Sequence, residues 1–129
     1  MRPYTPIECR PADSEFDCLI KIYPEGVMSQ HLDKLEVGAK LNIRGVFSDV
    51  TYKANQMSIP GFALEQNVTN IGMIAGGTGI TPCYQIIKAA LKNSNDKTKI
   101  NLIYSNSTAD DILLKDELIE LQKEHGDKF

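Results

Sequence analysis

The sequence predicts a chain of two unlike parts, a β-rich antiparallel part followed by an α/β part built on parallel strands. Three observations predict it. Apolar and polar residues alternate over Phe16–Tyr23 and again over Ala39–Arg44, the period of a strand. The run Ile71–Ala75 is apolar without alternation, as in a strand covered on both faces, and a glycine turn ends it. Beyond that turn the pattern reads strand, helix, strand, helix with short connections, which implies a parallel pair and right-handed crossovers.

Taken in order, Phe16, Cys18, Ile20 and Ile22 alternate with Asp17, Leu19, Lys21 and Tyr23 in the first strand. Pro24-Glu25-Gly26 is a turn, and Val27–Leu35 a short helix with Met28, Leu32 and Leu35 on one side. Glu36-Val37-Gly38 turns the chain into a second strand over Ala39–Arg44. Between Gly45 and Asn70 the only readable element is a short strand around Val50–Tyr52, and the domain boundary falls in this segment. After the Ile71–Ala75 strand and the glycines, a helix is expected with Thr81 as N-cap and Pro82 at its first position, where a missing N–H costs nothing. Tyr84, Ile87 and Leu91 mark its buried face. Asn93–Asp96 is a turn, Ile100–Tyr104 the second apolar strand, and Thr108 the cap of a last helix, with Asp111 at capping-box spacing and Leu114, Leu118 and Leu121 as its stripe.

The bulk properties exclude several classes. A length of 129 residues suits one ordinary domain or two incomplete ones. With 42% hydrophobic and 24% charged residues the chain is not of the disordered type. A net charge of -3, with signs interspersed, lacks the basic stripe of a nucleic-acid binder. Cys9, Cys18 and Cys83 stand at no metal-ligand spacing, and His31 and His125 are far from each of them in sequence, so free thiols are expected and no metal site. Met1-Arg2-Pro3 opens no signal peptide, and no stretch approaches the roughly 20 apolar residues of a membrane helix, so a soluble chain is expected.

The segment Ile71–Pro82, IGMIAGGTGITP, carries the chemistry. Glycines let the backbone pass close to a ligand, and free N–H groups at the following helix start favour an anion such as pyrophosphate. In open α/β sheets ligands sit at the carboxyl ends of strands, where this loop lies. The segment is not the ordinary dinucleotide fingerprint, because Pro82 stands where a third glycine belongs and Ser105-Asn106, not an acid, ends the second strand. No Gly-Lys-Ser/Thr follows, which excludes a phosphate-loop hydrolase.

That string resembles the motif that opens the nicotinamide domain of the ferredoxin-reductase superfamily, and within it the NADH–cytochrome-b5 reductase family. Arg2-Pro3-Tyr4-Thr5 resembles the family's flavin motif, LIKIYPEGVMSQHL over Leu19–Leu32 its flavin-pyrophosphate strand and helix, and Lys99–Leu118, with DILLKDEL, its second nicotinamide-domain strand and helix. The four segments occur in the family's order over nearly the whole chain. The resemblance implies a partial antiparallel flavin-binding β-barrel over residues 1–65 and the first half of a parallel α/β nicotinamide-binding domain over residues 66–129.

It further implies roles for single residues. Arg2 would fork onto flavin pyrophosphate, Pro3 belongs to the same motif, Tyr4 would pack on the isoalloxazine ring or ribityl chain, and Thr5 would hydrogen-bond near the reactive flavin nitrogen. Lys21 would stand beside flavin and nicotinamide, and with Thr5 is the candidate for a catalytic role. Val27, Met28 and Ser29 would offer backbone N–H groups and a hydroxyl to pyrophosphate, and Gly76, Gly77, Thr78 and Gly79 the loop on the nicotinamide side, with Thr81 near the flavin and Gly26 and Pro82 as further cofactor-binding positions. His31 is an ordinary helix-surface residue, since hydride transfer here needs no protein base.

The implied activity is electron transfer from NADH through FAD to a one-electron acceptor such as cytochrome b5 or a similar haem protein; a nitrate-reductase or ferredoxin-reductase relative is the nearest rival. No arginine follows the second strand to take an extra phosphate, which favours NADH over NADPH. A cytoplasmic-side location is expected, as family members are often anchored to the endoplasmic reticulum or the mitochondrial outer membrane. Barrel strands expected before Arg2, and the cysteine-glycine-proline-proline segment expected after Phe129, lie outside the sequence, so a truncated member with exposed apolar surface is expected. Gly45-Val46 stands where the family has glycine-proline. The alternative from another class is a catalytically silent fragment or interaction module with no bound cofactor.

Overall fold

The computed structural model describes residues 1–45, 47 and 50–129. Val46, at the glycine-proline position of the family, lies outside the described residues. Internal packing divides the chain into two units, Met1–Ser48 and Asp49–Phe129.

In the first unit, β1 (Pro6–Arg10) pairs antiparallel with β2 (Glu15–Cys18). The turn between them closes through Asp13 N–H to Arg10 O and Ser14 N–H to Pro11 O, with Ser14 left-handed at φ 57°. Arg10 bridges to Asp17 at 2.6 Å and to Glu15 at 3.3 Å across the hairpin. These carboxylates hold the guanidinium charged well above its ordinary range. The helix α1 (Val27–Asp33) follows. Met28, Leu32 and Leu35 are half-buried, as their spacing predicts, whereas Val27 is 88% exposed.

Two predicted strands are corrected. The first ends at Cys18, so the alternating residues 19–23 carry no ladder, and residues 39–45 form no strand. Alternation specifies which face a strand would bury, but a strand needs a neighbour for its N–H and C=O groups. Among the described residues none pairs with these segments, and Leu41 and Ile43 stand 40% and 67% exposed. The antiparallel part is therefore not a closed barrel.

The second unit opens on a hairpin, β3 (Thr51–Lys53) and β4 (Gln56–Ser58), of which the sequence predicted only the first strand. Its two turn residues, Ala54 and Asn55, are both left-handed, at φ 46° and 60°, the pairing of a type I′ turn. Next come β5 (Asn70–Gly76), a 3₁₀ turn over Gly77–Gly79, α2 (Ile80–Lys92), β6 (Lys99–Ser105), a second 3₁₀ turn over Ala109–Asp111 and α3 (Lys115–Glu124). As predicted, β5 and β6 are parallel, in register from Asn70 opposite Lys99 to Gly76 opposite Ser105.

Every buried hydrophobic residue among those described belongs to this α/β stretch. Ile71, Met73 and Ala75 of β5 and Ile100 of β6 share one face, with Ile80, Tyr84, Ile87, Ala90 and Leu91 of α2 and Leu118 of α3 completing the core. The other face is bare: Ile74 and Ile103, directly opposite in the ladder, are 83% and 66% exposed. This corrects the expectation of cover on both faces. An unbroken apolar run records residue type, not the number of layers present, and a single layer lies over β5.

Helix starts also differ from prediction. Gly79, not Thr81, caps α2, and Thr81 sits inside the first turn with its hydroxyl donating to Thr78 O at 3.2 Å. The 3₁₀ turn is continuous with the helix and moves the start two residues earlier. Thr108 precedes the 3₁₀ turn instead of α3, and its hydroxyl meets Asp111 Oδ2 at 2.9 Å; α3 begins after Leu114, which takes a left-handed φ of 57°.

A buried polar hub lies where β6 begins. The Tyr52 hydroxyl is 2.6 Å from Asp96 Oδ2 and 2.8 Å from Thr98 Oγ1, and it accepts Asn55 N–H at 3.3 Å. Thr98 donates its hydroxyl to Val68 O at 2.7 Å and its N–H to Asp96 Oδ1 at 2.9 Å. Asp96 and Thr98 are 3% and 1% exposed, so each polar atom must find its partner inside. The hub binds the β3–β4 hairpin to the parallel sheet.

Candidate functional site

In the first unit, Arg2, Pro3 and Tyr4 are exposed and Thr5 is half-buried, in the segment leading into β1. Lys21 is half-buried, with its ammonium 5.9 Å from the Tyr23 ring centroid. The turn at residues 23–26 is tied by Gly26 N–H to Tyr23 O at 3.0 Å. Ser29 closes it from the helix: its hydroxyl donates to Gly26 O and accepts Tyr23 N–H, both at 3.1 Å. Ser29 is 5% exposed, so its hydroxyl faces this turn instead of an outside ligand.

Gly26 has a fold reason for being glycine, because an added Cβ would collide with Ser29 Oγ. The first α1 bond is Gln30 N–H to Gly26 O at 2.8 Å, leaving the amides of Val27, Met28 and Ser29 ahead of the ladder. The structure thus groups Lys21, Tyr23, Gly26 and Ser29, beside a shallow depression lined by Tyr23, Pro24, Glu25 and Gly26.

In the second unit, Gly76 ends β5, and Gly77, Thr78 and Gly79 form the turn into α2. Only Gly77 is left-handed, at φ 50°. Gly76 and Gly79 have ordinary backbone angles, φ -126° and -64°. A Cβ built on any of the three meets nothing within 4 Å. Neither conformation nor packing demands glycine at 76 and 79. What their missing side chains provide is open space against the backbone at the carboxyl end of β5, and this fits a dinucleotide pyrophosphate approaching the amides. Thr81 is 7% exposed and Pro82 exposed on the first turn.

Sequence reasoning missed two residues here. Tyr104, read only as strand core, donates its hydroxyl to Gly77 O at 2.9 Å. A tyrosine near the carboxyl end of an otherwise apolar strand was the available signal, since a buried phenol needs a partner. Asn106 follows β6 at the same end, its carboxamide enclosed with neither Nδ2 nor Oδ1 bonded.

Cys9, Cys18 and Cys83 are free thiols. Burial pushes Cys83 up, and burial together with nearby Cys9 and Asp17 pushes Cys18 up, so neither is an activated nucleophile. Among the described residues, no group of three or more His, Cys, Asp or Glu could hold a metal ion, and no helix is long and apolar enough to cross a membrane.

The two halves match two known domain families. Residues 1–52 match the oxidoreductase FAD-binding domain and residues 73–129 the oxidoreductase NAD-binding domain. Their order defines a flavin- and nicotinamide-dependent oxidoreductase class. NADH-cytochrome b5 reductase 1 of Debaryomyces hansenii is 46% identical over 129 residues, and that of Scheffersomyces stipitis 48%; each alignment takes in 100% of this chain and 42% of the relative. The cytochrome b5 reductase domain of Ulva prolifera nitrate reductase superposes with a TM-score of 0.90 at 39% identity, over 98% of this chain and 52% of that one. Along its whole length the chain is similar to proteins of the NADH–cytochrome-b5 reductase family, and it spans less than half the length of those two yeast relatives.

Proposed function

We propose that the chain carries electrons from NADH through FAD to a one-electron acceptor of the cytochrome b5 type. The observation that supports this most is the turn Gly76–Gly79, where two glycines that the fold does not require keep the backbone open beside a helix start. In this reading the flavin side runs over residues 1–65 and the nicotinamide side over residues 66–129. FAD supplies hydride acceptance from NADH and one-electron release.

The chain's own residues bind and orient. Arg2 takes flavin pyrophosphate, helped by the amides of Val27, Met28 and Ser29; Pro3 shapes that motif, and Tyr4 packs against the flavin. Thr5 and Lys21 stand near the reacting atoms. Gly76, Gly77, Thr78 and Gly79 cradle the nicotinamide dinucleotide, with Thr81 and Pro82 at the base of the helix they lead into. Ser29 contributes its amide, since its hydroxyl is engaged by Gly26 and Tyr23.

The test is to purify the chain and measure flavin by its visible absorbance and turnover with NADH and ferricyanide. Flavin bound in stoichiometric amount, lost in Arg2→Ala, is the expected result. A colourless protein that neither takes up added FAD nor binds NADH would overturn the proposal and favour a cofactor-free interaction module. The bare face around Ile74 and Ile103 is the feature such a module would use.

A further inference from the structure

The geometry points to Tyr104 as a positioning residue for the nicotinamide cradle, acting through the Gly77 carbonyl; the inference rests on the dinucleotide reading of Gly76–Gly79. A trans peptide is planar, with its C=O and the following N–H pointing in opposite directions. Whatever fixes the Gly77 carbonyl therefore fixes the direction of the Thr78 N–H. Here the Tyr104 hydroxyl donates to that carbonyl at 2.9 Å, drawing it toward the end of β6. The same oxygen accepts Ile80 N–H as the turn closes. The Thr78 N–H must then point away from Tyr104.

Two features make this more than a local tie. Gly77 is left-handed at φ 50°, and glycine crosses between backbone regions at little cost, so without a fixed carbonyl the 77–78 peptide has other orientations open to it. The turn also has no N-cap side chain to hold it: beyond the Ile80 N–H, the structure gives neither the 3₁₀ segment nor α2 a side-chain capping hydrogen bond. Thr81 holds the next carbonyl, that of Thr78, at 3.2 Å from the helix side. Tyr104 and Thr81 thus fix two consecutive carbonyls, and the amides that follow them, those of Thr78 and Gly79, inherit their direction. No ligand contact by Tyr104 itself is implied.

Tyr104→Phe removes the hydroxyl and keeps the ring. Losing one orienting hydrogen bond should weaken NADH binding about five- to tenfold, read as Kd from NADH fluorescence on the purified chain. The Thr78 amide should shift on addition of inorganic pyrophosphate in the parent protein, and shift less in the variant. Tyr52→Phe, which removes a hydroxyl from the hub at the start of β6, is the control: its melting temperature should fall while its NADH affinity holds.

If the parent protein binds NADH and Tyr104→Phe binds it equally well, the positioning role is overturned and the dinucleotide reading stands. The role is also overturned if Tyr52→Phe weakens binding as much as Tyr104→Phe, since both would then act through stability. If the parent protein binds no NADH, the dinucleotide reading itself has failed, and this inference with it.

Discussion

Removing the Tyr52 hydroxyl, by Tyr52→Phe, should destabilise the second unit by about 2 kcal/mol. The hydroxyl has one proton, and its shortest contact is the Asp96 carboxylate at 2.6 Å. A hydrogen bond to a charged partner is worth about 1.5–3 kcal/mol, and the lower part of that range applies because Asp96 keeps the Thr98 N–H at 2.9 Å. Water can replace the hydroxyl for the half-buried Asn55, but not easily for Asp96, which is 3% exposed. For a unit of this size about 2 kcal/mol corresponds to a melting temperature lower by roughly 8–16 °C. The assay is thermal and urea unfolding by circular dichroism, with Asp96→Asn and the double variant completing a cycle. Coupling of about 1 kcal/mol or more is expected. A loss below about 0.5 kcal/mol, or full additivity, would refute the hub as an energetic unit.

Other substitutions test the same geometry. Gly79→Ala should leave the melting temperature nearly unchanged, because φ is -64° and a Cβ meets open space, yet weaken NADH binding about tenfold or more; Gly77→Ala should cost about 1–2 kcal/mol of stability for its left-handed backbone, measured by urea unfolding. Burial works against ionising Asp96, but the Tyr52 hydroxyl and Thr98 outweigh it, with Lys128 adding positive charge, and hold the carboxyl below its ordinary 3.8. Its stabilisation is present above that value and lost as pH falls through the lower folded value, so melting curves between about pH 4 and 2 should fall less steeply for Asp96→Asn than for the parent. Ile74→Thr should cost under about 0.5 kcal/mol at 83% exposure, whereas Ile87→Ala, at a fully buried site, should cost about 2–5 kcal/mol by urea unfolding.

How much was legible in the sequence depended on whether the deciding neighbour was close along the chain. The β5–turn–α2–β6 unit was readable because its strands, glycines and helical stripe are local patterns, and Tyr84, Ile87 and Leu91 are buried as their spacing required. Residues 39–44 alternate like a strand, but the alternation could not supply a partner. The β3–β4 hairpin was half hidden because Ala54, an unusual residue for a left-handed turn, replaces the asparagine or glycine that announces one. The cap assignments failed for a related reason: Thr81 and Thr108 are good capping residues, but 3₁₀ turns moved the helix starts away from them. Within the site, the glycine turn was plain from composition and resemblance. Its support from Tyr104 was not, since that hydrogen bond spans 27 positions.

The confinement of the buried apolar residues to the α/β stretch has a consequence for how the chain breathes. Amides of β5, α2 and β6 can exchange with solvent only when the shared core opens, so they report the global unfolding equilibrium. Among the described residues, those of the β1–β2 ladder include no buried hydrophobic side chain, and their amides exchange through local fraying at far lower cost. The half assigned to flavin would thus be stiffened chiefly by what it binds, and the half assigned to nicotinamide by its own interior.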